Sequence, residues 1–406
     1  MNFAIIGLGY WGKNYYRILN SNDNINLSAV VDSNQNINLD GGTKHFPDLE
    51  HLLNSEINID AAIVATPTNT HYEITKKLLN DGIHVLVEKP LSTKADEASE
   101  LINLADEKNL VLLVDHTFLY NEAINFAIKS IQDGEIGSLL HINFERTNLG
   151  PIRSDVSCLW DLTTHDVSIL NAITPNEPIQ IKASSFNTSQ TEAFDMVNVS
   201  LNYESNLFVT MFSSWLHPEK TRKIKIVGDK KMIVFDDLNF NEPIKIYDKK
   251  FDQIYDKEIS QNNNNSFFSF SIGDVVSPFI QNSEPLQQVV KHFISTIKNE
   301  EMFISDSNHT KYQIDLGERF KNADYFKDYV TSYKELNKLF ETFHEGDKEE
   351  YGFKYKEQSL GRAKWTAKKM EQKNKAIVMH MAKEFEMRQT AQRAVHSFSG
   401  KTGKLD

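Results

Sequence analysis

Two hydrophobic periods alternate along the first third of the chain. Residues 2–6, 27–31, 61–65, 84–87 and 110–114 are runs of four or five mostly apolar side chains, which read as buried strands. Between them apolar residues return every third or fourth position, over 13–19, in a short helix opening at Phe46-Pro47-Asp48-Leu49-Glu50, over 71–80, and from Thr93 through Leu104. Strands separated by helices predict α/β architecture, a doubly wound parallel Rossmann sheet over residues 1–118. Ligands of such a sheet sit at the carboxyl ends of its strands. Those ends carry Gly7 to Gly12, Asp32, Thr66-Pro67, Glu88-Lys89-Pro90 and Asp115-His116.

From about residue 119 the pattern changes. A helix over 121–132 and a turn at Asp133-Gly134-Glu135-Ile136-Gly137 lead into a strand over 139–146. A loop (148–157) and an apolar-striped helix (161–173) come next. Then strands with hairpin signals follow at 179–187, 195–203, 206–215, 222–228, 231–236 and 243–248. Runs of strands beside few helices predict an α+β domain over 119–310, its largely antiparallel sheet covered by helices on one face. Four consecutive asparagines within 260–266 predict a mobile loop, and 285–297 a helix.

Charge changes the picture at the far end. The 406 residues carry a formal net charge of −12, yet residues 351–406 hold 13 Lys and Arg against 5 Asp and Glu, so they are +8 and residues 1–350 are −20. Residues 311–406 are expected to form a helical C-terminal extension with one or two exposed helices. The net charge of −12 argues against a general nucleic-acid binder or an anionic membrane surface. The single cysteine, Cys158, excludes an internal disulfide framework and a cysteine-rich metal site. No apolar run approaches the roughly 18 residues of a membrane span, and no signal-peptide pattern opens the chain. A cytoplasmic enzyme, neither membrane-bound nor nucleic-acid-binding, is the expectation.

The first strand runs directly into Gly7-Leu8-Gly9-Tyr10-Trp11-Gly12 and then a helix. Strand, glycine turn and helix are the context that gives a G-x-G-x-x-G motif its meaning. Gly7 allows the tight turn, Gly9 lets the backbone approach a pyrophosphate, and Gly12 lets helix and strand pack. Free N–H groups at the helix start face the anion. Asp32 ends the second strand twenty residues past Gly12, placed to accept hydrogen bonds from the adenosine ribose. The cofactor expected is NAD, because a carboxylate there would repel the 2′-phosphate of NADP. Tyr10, Trp11 and Trp160 are candidates to wall its pocket, with core packing as the alternative.

Gly7-Leu8-Gly9-Tyr10-Trp11-Gly12, Ala65-Thr66-Pro67 with His71, Glu88-Lys89-Pro90, and Trp160-Asp161-Leu162-Thr163-Thr164-His165-Asp166 together resemble the Gfo/Idh/MocA family of NAD(P)-dependent oxidoreductases. The resemblance covers residues 1 to about 310. It implies that Lys89, Asp161 and His165 act at the nicotinamide and that Thr66, Pro67, His71, Glu88 and Lys89 help hold the cofactor. Leu149-Gly150-Pro151-Ile152-Arg153-Ser154-Asp155 and Ser213-Ser214-Trp215-Leu216 are similar to the branch with nucleotide-sugar 3-dehydrogenases of UDP-N-acetylglucosamine and its uronic acid. A sugar or nucleotide-sugar substrate and a homo-oligomer follow as expectations. A polyol or inositol dehydrogenase and a non-catalytic NAD(H)-sensing regulator stay open.

The implied chemistry assigns His165 to the hydroxyl proton, Asp161, four residues earlier, to orienting or charging the imidazole, and Lys89 to the reacting oxygen. The alternatives are structural: a helix-dipole carboxylate for Asp161 and a packing or capping role for His165. Asp161, His165 and Asp166 are too few to hold a metal, and none is expected. His116, Tyr120, Asn121 and Arg153 are the substrate-side candidates, Arg153 as partner of a diphosphate or carboxylate. Ile304-Ser305-Asp306 is similar to the family's approach to a final helix that packs back onto the first domain, but the helix sequence expected after Thr310 is missing. Lys383-Glu384-Phe385-Glu386-Met387-Arg388 and Lys401-Thr402-Gly403 are similar instead to part of phage proteins with a cobaltochelatase-like von Willebrand A domain, which leaves a gene fusion and a chimeric assembly open.

Overall fold

The computed structural model describes residues 1–22, 25–153, 156–174, 176–188, 194–254, 267–281 and 283–298. The expected loop at 260–266, the Ile304-Ser305-Asp306 approach and the helical extension over 311–406 lie outside the described residues. Strand and helix alternate as the apolar periods predict: β1 (Asn2–Ile6), α1 (Tyr10–Asn20), β2 (Asn26–Val31), β3 (Lys44–Phe46), α2 (Leu49–Leu53), β4 (Ala61–Val64), α3 (His71–Asn80), β5 (His84–Glu88), α4 (Ala95–Glu107) and β6 (Leu112–Asp115). The six strands form one parallel sheet in the order β3-β2-β1-β4-β5-β6. The order reverses between β1 and β4, where a crevice opens at the carboxyl ends of both.

Register explains why these strands are apolar throughout. Ile5, Val30, Ile63, Leu86 and Leu113 stand side by side across the sheet, and Ile6, Val31, Val64, Val87 and Val114 stand one position on, facing the other way. The first row packs against Tyr15, Ile18 and Leu19 of α1, the second against Leu52, Leu78 and Leu101 of α2, α3 and α4. Both faces are covered, so no polar alternation is left in the strands.

The second half continues with α5 (Glu122–Gln132), β7 (Leu139–Leu149), α6 (Thr164–Ile173), β8 (Gln180–Phe186), β9 (Met196–Asn202), β10 (Phe208–Ser214), β11 (Leu216–Gly228), β12 (Met232–Asp236), β13 (Ile244–Ile254), β14 (Phe267–Val276) and α7 (Pro285–Ile297). The eight strands run β14-β13-β12-β11-β7-β10-β9-β8, antiparallel apart from the parallel β7–β10 pair. Ala183, Val199, Met211, Phe144, Ile224, Phe235 and Ile244 form one register row, in the core shared with Ile124 of α5 and Ile169 of α6. The opposite face of the sheet leaves Phe186 and Phe208 exposed.

Two strands and one packing partner depart from the expectation. β3 is a three-residue edge strand, too short to carry a period. β14 follows directly on the asparagine run, whose turn signal masks it. The sequence places α7 with the second domain, but Leu286, Val289, Val290 and Phe293 pack on the first sheet, with Phe293 edge-on to Phe3 at 6.1 Å. Arg17 of α1 pairs with Glu284 at the start of α7. No described helix is long and apolar enough to cross a membrane.

Candidate active site

The glycine turn is built by exclusion. Gly7 has φ +92°, and a Cβ there would lie 2.8 Å from the Ala65 carbonyl oxygen. At Gly12 a Cβ would fall 2.0 Å from the carbonyl oxygen of Gly7, so only glycine lets α1 start this close to the turn. At Gly9, the N-cap of α1, a Cβ would meet no protein atom within 4 Å. The space is kept free on the ligand side and closed on the protein side.

Around it lies a cleft of about 1030 Å³ lined by Gly7, Gly9, Tyr10, Trp11, Asp32, Thr66 and Pro67, with Arg153 and Pro151 reaching in from the second domain. Asp32 accepts from the amides of Leu8 (2.7 Å) and Asn34 (2.8 Å), which fixes its carboxylate at the rim. Asp48, Glu50 and Glu73 line the same cleft, and Glu50 pairs with Lys77 across it. A volume of this size, an open approach at Gly9, a helix start and a fixed carboxylate fit a dinucleotide.

Several residues expected at the cofactor sit behind it. His71 is buried, with Nδ1 2.7 Å from the Pro90 carbonyl oxygen and Nε2 2.8 Å from that of Thr66. A neutral ring donates to one of these and only the imidazolium to both, so His71 ties the Pro90 segment to cleft-lining Thr66. Glu88 and Asp115 are buried under the strand ends, where the sequence reading had them line the crevice. Trp160 is buried as well, its carbonyl accepting from the Thr164 hydroxyl at 2.6 Å.

Tyr15, which the sequence offered only as an apolar helix position, organises that layer. Its hydroxyl donates to Asp115 Oδ2 at 2.5 Å and stands 3.2 Å from Glu88 Oε1. Thr117 adds a second donor to Asp115 at 2.8 Å. Burial, and then the charge of Asp115, push the Glu88 carboxyl up to about 8. The raised carboxyl favours its protonated form at neutral pH, beside the Tyr15 hydroxyl that donates to Asp115. A carboxyl whose folded pKa is raised contributes stability that is full below its unfolded value of about 4.5 and is lost as pH rises through about 8. Glu88→Gln keeps the neutral donor. Its melting temperature should fall less steeply than wild type between pH 5 and 8, and equal slopes in thermal melts would refute the assignment.

Lys89 follows β5, and its peptide bond to Pro90 is cis. Its ammonium crosses to the second domain, 2.7 Å from the Asp161 carbonyl oxygen and 3.2 Å from Asp161 Oδ1. Arg153 donates to the same Oδ1 at 3.0 Å. Burial raises the Asp161 carboxyl, but Lys89 and Arg153 outweigh it and the net direction is down. Asp161 is thus an anion held by two cations.

The expected Asp161–His165 pair is not formed. The segment Leu159–Thr163 is a π-helical turn leading into α6. Its wider turn breaks the i, i+4 spacing that would stack the two side chains. His165 Nδ1 is buried without a hydrogen-bond partner, and burial first, then Lys89, Arg146, His116 and Arg222, hold the ring well below the ordinary imidazole range. The His165 imidazole is therefore neutral at pH 7.

Of the substrate-side candidates, Arg153 faces the cleft and His116 is buried nearby, pushed down to about 4 by burial and by Lys89. Tyr120 is in the core, 2.7 Å from His292 Nδ1 of α7, and Asn121 caps α5 by accepting from Ala123 and Ile124. In these contacts Tyr120 joins the segment after β6 to α7, and Asn121 satisfies helix N–H groups. Among the described residues no cluster of three or more His, Cys, Asp or Glu is arranged to hold a metal.

Residues 1–116 match the oxidoreductase family with an NAD-binding Rossmann fold, and residues 125–234 match the GFO/IDH/MocA C-terminal domain. The chain belongs to the Gfo/Idh/MocA oxidoreductase family. It is 25% identical over 246 residues to the UDP-N-acetylglucosamine 3-dehydrogenase of Acidithiobacillus ferrooxidans, covering 59% of this chain and 75% of that one. The fold is that of the WlbA dehydrogenase from Bordetella pertussis, solved with NADH and UDP-GlcNAcA, with a TM-score of 0.64 and 16% identity over 85% of this chain and 97% of that one. The myo-inositol 2-dehydrogenase of Lactobacillus plantarum shares it at a TM-score of 0.63 and 17% identity, over 85% of this chain and 98% of that one. As a Gfo/Idh/MocA member the chain carries the family's NAD-binding Rossmann fold in its first sheet.

Proposed function

We propose that the protein is an NAD-dependent dehydrogenase of a sugar hydroxyl, with a nucleotide sugar of the UDP-N-acetylglucosamine type as substrate. The observation that carries this reading is the Lys89–Asp161 contact where the end of β5 meets the turn before α6, with the Lys89 charge acting on the neutral His165 ring. Bound NAD supplies the hydride acceptor. Lys89 donates to the substrate oxygen and stabilises alkoxide character as it develops. His165 takes the hydroxyl proton on Nε2, the nitrogen that can exchange, because Nδ1 is closed off. Asp161 keeps the Lys89 ammonium and the Arg153 guanidinium in place. In the direction of reduction His165 returns the proton. Arg153, between cleft and Asp161, is placed to meet a diphosphate or carboxylate of the substrate.

The deciding experiment is a screen of UDP-sugars and free polyols with NAD, followed by absorbance of the reduced nicotinamide. Turnover with a UDP-sugar supports the reading. Turnover with inositols alone redirects it to a polyol dehydrogenase, and binding without turnover to a sensor. The exposed Phe186 and Phe208 face of the second sheet suits pairing of two copies, which sedimentation would test.

Cofactor choice follows from Asp32. A 2′-phosphate would meet this carboxylate with Asp48, Glu50 and Glu73 lining the same cleft, and Asp32→Ser removes the nearest charge. NAD should bind more weakly to the variant, which also loses acceptors for Leu8 and Asn34, and the NAD-to-NADP preference should narrow. A wild type that prefers NADP in fluorescence titrations would overturn this reading.

A further inference from the structure

The mechanism leaves one question about His165: what orients a ring whose Nδ1 has no hydrogen-bond partner. The ring packs against Phe118, with centroids 5.0 Å apart and planes at 60°. Phe118 in turn carries the Arg146 guanidinium over its face, with Cζ 4.1 Å from the ring centroid. Arg146, on β7, is buried, and its Nε donates to Asp166 Oδ1 at 2.6 Å. Asp166 is buried too, and sits next to His165 on α6. A buried ion pair gives little net stability over an apolar pair of similar volume, so stability alone does not explain one beneath the imidazole.

We propose that Asp166, Arg146 and Phe118 form a positioning device for His165. Asp166 fixes the guanidinium, the guanidinium holds the face of Phe118 through its quadrupole, and Phe118 sets the tilt of the imidazole. The residues come from the turn after β6, from β7 and from α6, so the device ties the base of the second domain to the strand end of the first. It rests on the reading of His165 as the base. The device also places a fixed cation one ring away from His165, which disfavours the imidazolium. The other charged or titratable groups that act on this ring are Lys89 after β5, His116 after β6 and Arg222 on β11, with Asp161 held by Lys89 and Arg153. Against them Arg146 is the cation that touches the ring's own packing partner.

The test uses the full chain labelled with ¹⁵N-histidine, with the His165 signal assigned by its loss in His165→Gln. Arg146→Met alone would strand the Asp166 charge, so it is combined with Asp166→Asn; Phe118→Leu leaves the ion pair in place. In the double variant the His165 titration midpoint should rise toward the ordinary value of about 6.5. In Phe118→Leu kcat should fall by about ten- to a hundredfold with the KM for NAD unchanged, and Phe118→Tyr should recover most of it. If the double variant does not fold, the His165 midpoint in Phe118→Leu decides, with a rise expected. An unchanged midpoint and unchanged kcat in the folded variants overturn the device. If His165→Gln retains turnover, the base assignment fails, and the midpoint still decides whether Arg146 and Phe118 control the ring.

Discussion

Replacing Lys89 with Met is expected to lower turnover by about 10²–10³ while NAD affinity stays within a few-fold. The size of the loss is that of removing one preorganised donor from developing negative charge in a site shielded from water. The side chain of Lys89 is 9% exposed, so water cannot take over its role. The fold should survive the change. Asp161 keeps Arg153 at 3.0 Å, so its carboxylate is not left as a lone buried charge. Methionine also fills about the same length of apolar stem. NAD binding should hold because the lining of the cleft runs from the glycine turn through Asp32 and Thr66 and does not include Lys89. Single-turnover absorbance with the substrate found by the screen, beside NADH fluorescence titration, separates the two quantities. A variant that keeps more than a tenth of wild-type turnover would remove Lys89 from the reacting oxygen. One that loses NAD instead would return the lysine to a cofactor-holding role.

The parts of this protein that could be read from the chain are those in which one physical requirement dominates. Strands buried on both faces must be apolar throughout, so β1, β2, β4, β5 and β6 stand out as runs. Their carboxyl ends then point to Gly7, Asp32, Thr66 and Lys89 without a structure. What stayed hidden depends on partners distant in sequence. Tyr15 reads as one more aromatic on the buried face of α1, because the acids that use its hydroxyl lie 73 and 100 residues on. Arg146 reads as an ordinary polar position of β7 until Asp166 and Phe118 are brought to it. Asp161 and His165 look like an i, i+4 pair because nothing local announces the π-turn that separates them. For His71 the family resemblance points to the cofactor, and Tyr120 is a substrate-side candidate. The sequence does not show that Tyr120 also meets His292 of α7 or that His71 lies between the carbonyls of Thr66 and Pro90.

The glycine turn carries the other large effect, and two substitutions divide it into its parts. Gly12→Ala should destabilise the protein without any ligand. Its Cβ would lie 2.0 Å from the Gly7 carbonyl oxygen and 2.9 Å from the Gly7 carbonyl carbon, both backbone atoms that cannot swing aside. Relief requires α1 to move away from the turn by more than an ångström. Overpacking of this kind typically costs about 1–3 kcal/mol, and the helix start would then no longer face the pyrophosphate. Both the melting temperature and NAD affinity should therefore drop. Gly9→Ala should behave differently. Its φ of −70° is open to alanine, and the new methyl meets no protein atom within 4 Å. The melting temperature of the ligand-free protein should stay within a degree or two, because a surface change without contacts is worth at most about 0.5 kcal/mol. NAD affinity should nevertheless fall by about tenfold or more, since a methyl now occupies the space where the backbone must approach the pyrophosphate. Thermal melts with and without NAD read both quantities in one experiment. Unchanged NAD affinity in Gly9→Ala would mean that the dinucleotide does not cross the start of α1. A destabilised ligand-free Gly9→Ala would mean that the free space at this glycine serves the fold.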